Sequence, residues 1–213
     1  AHFDHLMDVP DLVRNTGAVA IGSPNCCRLL TACGVPERNV REVHAGDCLG
    51  FGDYQVQVQM GEHIKLPLFA PGPLGTVLEP PLRARDYRMD FHYSFLISAG
   101  GQRLLTDTGI CPEDAVAADV LFIHPGRPRP FYESLLPRVR PKVIVPYHWD
   151  DFFRPLSLPL RPFWWPTGRV FRPLQRANLA EFRETIGQIA PGTVLLEPEA
   201  FRSYDLVELL GLS

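Results

Sequence analysis

Prolines decide first what this chain can become. Pro67, Pro71, Pro73, Pro80 and Pro81, with glycines nearby, fall between residues 61 and 90, and a second proline-rich stretch covers 154–173. Proline has no amide proton and a fixed φ, so neither stretch can sustain a helix or a sheet ladder for long. Regular structure is thereby confined to residues before 61, to 91–153, and to 177 onward. A loop as long as 61–90 inside a folded domain is functional or covers something.

Within those blocks strand and helix signals interleave. Leu6, Val9, Leu12 and Val13 recur at helical spacing and predict a helix that stops at Asn15-Thr16-Gly17. A strand over 18–21 follows, then a short helix over 26–33 with Pro24 at its start and Gly34 at its stop. Strands are predicted over 40–44, 48–51 and 54–60, the last alternating as Val56-Gln57-Val58-Gln59. A hairpin joins 91–98 to 103–106 through Ala99-Gly100-Gly101-Gln102. After it come helices over 112–117, 131–136 and 177–189, and strands over 120–123, 143–145 and 193–196. No internal repeat is present. The order predicts a single layered α/β domain over 1–213 with its site at the strand ends.

Composition narrows the function classes. With 46% hydrophobic and 21% charged residues and a net charge of -3, the chain offers nucleic acid no broad electrostatic attraction. No apolar run is long enough for a membrane span, and no signal peptide is visible. Five cysteines, Cys26 and Cys27 adjacent, lack the spacing of a disulfide framework or a zinc ribbon. They read as small buried hydrophobes in a reducing compartment, which makes the cytoplasm the expected location.

The residues that carry chemistry stand at recurrent places. His2, Asp4 and His5 precede an amphipathic helix on a turn whose side chains can converge, and imidazole with carboxylate suits zinc, manganese or iron better than calcium or magnesium. The same three residues also read as a solvated turn or a helix cap. Asp107 follows the strand over 103–106, His148 follows Val143-Ile144-Val145-Pro146-Tyr147, and His63 follows the alternating strand and opens the long loop. His44 and His124 also end strands, but have no matching role and read as structural or surface residues. Asp150 and Asp151, beside His148, can donate a proton or hold hydrogen bonds behind the ligands, or simply cap the next turn. No nucleophile elbow, phosphate-cradling loop or dinucleotide fingerprint is present.

Ala1-His2-Phe3-Asp4-His5 resembles the last five residues of the His-x-His-x-Asp-His signature of the metallo-β-lactamase fold superfamily. Asp107 and His148 fall in the order of that superfamily's bridging aspartate and last histidine. The segment Val145-Pro-Tyr-His-Trp-Asp-Asp-Phe-Phe-Arg-Pro-Leu156 further resembles the branch similar to ascorbate-6-phosphate lactonase. The resemblance implies an α/β fold of four αββα layers and two divalent metal ions, zinc first with manganese or iron as alternatives. It places His2 on the first ion, Asp4, His5 and His148 on the second, and Asp107 between them. The remaining first-ion histidine is His63, which ends a strand and opens a loop, with His92 as the rival inside Phe91-His92-Tyr93-Ser94-Phe95. The signature's first histidine would fall one residue before Ala1. The expectation is therefore a fragment of a longer protein, lacking the N-terminal strands of the sandwich, binding metal poorly by itself and exposing sheet edge that favours homo-oligomers.

Such a site implies hydrolysis of a phosphoester, lactone or related ester by a metal-activated water, with Asp4, Asp107 and Asp150 as its catalytic carboxylates. A metal-binding protein without turnover is the alternative. The stretch 154–176 has five arginines, no acid, and Phe163-Trp164-Trp165 in its middle. It reads either as a rim favouring an anionic small molecule or as an irregular connection packing its tryptophans.

Overall fold

The helical periodicity near the start of the chain forms two helices, α1 (Phe3–Leu6) and α2 (Val9–Thr16). Pro10 in the first turn of α2 needs no helical partner for the amide proton it lacks, so the second helix begins there. It stops where Gly17 turns left-handed and its N–H bonds to Val13 O at 2.8 Å. The computed structural model describes residues 2–63, 71–107, 109–151, 154–155, 157–162 and 178–211. The described residues of 2–48 and 57–93 pack as one compact unit, and those of 49–56 and 94–211 as another.

In the first unit, β1 (Ala20–Gly22) and β2 (Val40–Glu42) pair in parallel, Ala20 opposite Val40, and α3 (Pro24–Ala32) supplies the crossover that parallel strands require. Leu6, Val13, Leu29, Leu30, Val35 and Leu74 form its core. Within the proline-rich loop, residues 71–90 are held by side chains instead of a ladder. The Asn25 amide donates to Gly72 O at 3.0 Å and to Arg88 O at 2.9 Å. The Asp90 carboxylate accepts from Ser23 Oγ at 2.6 Å and from Asn25 N at 2.8 Å. Carbonyls that no regular element would satisfy thus find partners at the head of α3.

The seven-stranded sheet has the order β3 (Cys48–Phe51), β4 (Tyr54–Gly61), β5 (His92–Ala99), β6 (Gln102–Asp107), β7 (Val120–Ile123), β8 (Val143–Pro146) and β9 (Val194–Leu195). β5 and β6 are an antiparallel hairpin closed at Ala99 and Gln102, where Gly100 and Gly101 take φ of 55° and 77°. Two successive positive φ values match the right-handed twist of the strands and favour glycine at both places. From β6 onward the strands are parallel. α4 (Arg129–Val139) links β7 to β8, and α5 (Leu179–Ile189) lies between β8 and β9 in the chain.

Alternation along these strands sorts two buried faces. Leu105, Leu121, Ile123 and Ile144 pack with Leu135, Val139, Phe182 and Ile186 of α4 and α5. Val120, Val143 and Val145 instead pack with Leu210 and with Leu206 and Leu209 of α6 (Leu206–Leu209). Each fully buried aliphatic side chain contributes about 1.5–3 kcal/mol by leaving water. The helix predicted over 112–117 is one 3-10 turn, Pro112–Asp114, and the one over 131–136 extends to Arg129–Val139 because Pro130 fits a first turn. Cys27 is buried as expected, but Cys48 and Cys111 are exposed, Cys48 on the outward side of β3. No helix among the described residues is long and apolar enough to cross a membrane.

Candidate metal centre

His2 stands in an extended conformation at the N-terminus of α1, and Asp4 and His5 occupy its single turn. This local geometry brings their donors together: His5 N bonds to His2 O at 3.2 Å, and His5 Nε2 lies 3.7 Å from Asp4 Oδ2. One ligand atom from each of His2, Asp4 and His5 lies within 4.8 Å of the others. Nitrogen and oxygen ligands at about 2.0–2.2 Å from a tetrahedral zinc ion sit roughly 3.3–3.6 Å apart, so side-chain adjustments of about an ångström bring these donors to ligand spacing. Asp4 Oδ1 is buried and accepts no hydrogen bond among the described residues. An orphaned carboxylate oxygen beside two imidazoles is a donor set that fits a divalent transition metal.

His2 is 6% exposed. Burial, first, and then the neighbouring His63 push its pKa down to about 3, so its imidazole is neutral near pH 7 and keeps a lone pair for a metal. The His63 ring meets that of His2 edge-on at 4.5 Å, and the His92 ring lies 5.1 Å from His63. His5 and His2 are 6.0 Å apart. The two rival histidines therefore occupy one row, His5-His2-His63-His92, in which His63 touches His2 and His92 touches His63. His44 is outside that row, exposed, with Nε2 3.2 Å from Glu42 Oε1.

The second unit gathers its own groups at the C-terminal ends of three parallel strands. Asp107, Ile123 and Pro146 are aligned in register across β6, β7 and β8. Asp107 is the last residue of β6, one position inside the strand it was expected to follow, and its side chain lies outside what is described. His148, two residues past β8, is exposed and left-handed at φ 57°. His124, one residue past β7, has its ring 5.8 Å from that of His148. Burial, then His148 and Arg127, lower the His124 pKa to about 4. Sequence reasoning set His124 aside, although its place just after a buried strand is the same signal that singled out Asp107 and His148.

Asp150 bridges to Pro162, and Asp151 accepts from Arg161 Nη2 at 2.8 Å and Nε at 3.1 Å. The described end of the arginine-rich stretch is therefore tied back onto Asp151, which differs from a free rim. Trp164, Trp165, Arg169, Arg172 and Arg176 lie outside the described residues.

No protein-family profile matches the chain, and no curated protein matches its sequence. Among solved structures it is similar to the metallo-β-lactamase fold protein YhfI from Bacillus subtilis, with a TM-score of 0.54 at 10% identity, covering 96% of this chain and 74% of that one. A protein of the metallo-β-lactamase superfamily from Thermotoga maritima gives 0.34 at 12% identity over 56% of this chain and 54% of its own. A mutant form of the β-hydroxylase CmlA gives 0.43 at 16% identity over 83% and 35%. The likeness to YhfI is one of architecture: the chain has the metallo-β-lactamase fold.

Proposed function

We propose that this chain is a metal-dependent hydrolase acting on a phosphoester, lactone or related ester, of the branch similar to ascorbate-6-phosphate lactonase. The observation that carries the reading is the convergence of His2, Asp4 and His5 within 4.8 Å, in a chain of metallo-β-lactamase fold. His2, Asp4 and His5 would hold a divalent cation, which when bound would supply a water of lowered pKa and polarise the oxygen under attack. The residues do the rest. His2 offers a lone pair that no proton contests near neutral pH, His5 and His63 extend the imidazole set, and Asp4 contributes negative charge that offsets that of the cation. His92, against His63, holds that ring in place.

Zinc suits this donor set best, with manganese or iron as alternatives. Two ions are proposed, with Asp107 and His148 in the ligand roles the resemblance gives them. Asp150 is the proposed proton donor to the leaving group, since the carboxylate of its neighbour Asp151 is engaged by Arg161.

The test is calorimetric zinc titration of the metal-free protein beside a panel of phosphodiesters, phosphomonoesters and lactones. His2→Ala and Asp4→Asn should each weaken zinc binding by about tenfold or more and reduce metal-dependent turnover in step. Zinc affinity unchanged in both variants sinks the centre. Binding with no turnover on any substrate favours a metal-binding protein without catalysis.

A further inference from the structure

The turn after β7, His124-Pro125-Gly126-Arg127, is built to hold one imidazole in one orientation. Gly126 N donates to His124 Nδ1 at 2.9 Å. A Cβ on Gly126 would lie 2.6 Å from His124 Cε1, so the ring occupies the space that a side chain there would need. The backbone of the turn is anchored too. Tyr132 of α4, 2% exposed, donates its hydroxyl proton to His124 O at 2.9 Å and accepts from Arg127 N at 3.0 Å.

This arrangement fixes a tautomer. A nitrogen that accepts an amide proton carries none itself, so the proton of a neutral His124 is on Nε2. Metal ligation through Nε2 would need that proton moved to Nδ1, where it would face the Gly126 N–H. His124 is thereby a donor and not a ligand. It stands at the C-terminal end of a parallel strand, where open α/β sheets receive their ligands. The surroundings favour an anion. Arg127, stacked 5.1 Å over Phe131, is in the same turn, and the first turn of α4 has no acidic residue.

We propose that His124 is a substrate-recognition residue whose Nε2–H donates to an anionic oxygen of the bound molecule, with Gly126 and Tyr132 as positioning residues. The inference rests on the hydrolase reading only for calling that molecule a substrate; it deepens that reading by selecting phosphorylated or carboxylated esters. Neutral imidazole as a donor in an enzyme site has precedent in principle, because a fixed tautomer polarises an oxygen without adding a charge.

Inorganic phosphate titrated into the metal-free protein, followed by histidine side-chain nitrogen resonances, tests it. The free protein should show His124 protonated on Nε2 alone, and phosphate should shift that signal. His124→Phe should weaken phosphate binding about tenfold, the effect of one hydrogen bond to a charged acceptor. His124→Gln, whose amide can reach the position of Nε2, should stay within about threefold of the wild type, and Gly126→Ala should weaken binding while the imidazole remains. A proton on Nδ1, no phosphate binding by the wild type, or equal binding by His124→Phe overturns the proposal. Loss of zinc-dependent turnover on every substrate, with these phosphate results intact, overturns the hydrolase reading alone.

Discussion

Replacing Asp90 with alanine should loosen the proline-rich loop at its anchor. The carboxylate accepts from Ser23 Oγ at 2.6 Å, Asn25 N at 2.8 Å and Phe91 N at 2.8 Å, and Ser23 and Asn25 are only 2% and 6% exposed. Alanine leaves a buried hydroxyl and a buried amide proton without their acceptor, each worth about 1–3 kcal/mol. Asp90 is half-buried, so water can reach part of the gap, and the lower half of that range applies. The expected loss is about 2–4 kcal/mol. For a chain of this length it lowers Tm by roughly 4–16 °C. Urea denaturation of the metal-free protein measures the first quantity and a thermal melt the second. Asp90→Asn, which keeps one acceptor oxygen, should lose less than half as much. Because Asp90 lies two residues before His92, the alanine variant should also bind zinc more weakly. A change below about 0.5 kcal/mol would refute the assignment of the carboxylate as the loop's anchor.

Acid should destabilise the metal-free protein through His2. Its pKa is about 3 folded against 6.5 in the unfolded chain, so between these values the unfolded state binds the extra proton, and stability falls as pH drops from 6.5 toward 3. The loss is up to about 4–5 kcal/mol; urea midpoints across that window should show it, and His2→Gln should flatten the slope. Tyr132→Phe should cost about 1–3 kcal/mol by removing the hydroxyl that bridges His124 O and Arg127 N, with faster amide exchange at Arg127. Unchanged exchange would show that the turn is held by other contacts.

Local chemistry was the legible part of this chain. The helix stop at Gly17 and the Gly100-Gly101 hairpin depend on neighbours in sequence, and the buried run over 120–123 needs no partner to be recognised. The four-residue helices α1 and α6 are too short to show a period, and α6 is fixed by packing on Val120 and Val143. The convergence of His2, Asp4 and His5 was legible because one helical turn produces it. Which of His63 and His92 approaches His2 was not, since an edge-on contact between a ring two residues past β4 and one at the start of β5 has no signature in spacing. His124 reads in sequence as a structural or surface residue because its distinction lies in the Gly126 amide and the Tyr132 hydroxyl, contacts that its place after a strand does not reveal.

The left-handed backbone of His148 sets two demands on that residue against each other. A side chain in this region costs about 1–2 kcal/mol relative to an ordinary conformation, less for histidine than for a branched residue, and glycine would escape it. Selection for relief of that strain alone would favour glycine there and discard the imidazole proposed as a metal ligand. Attempts to make this protein hardier by relieving its backbone should therefore leave position 148 untouched.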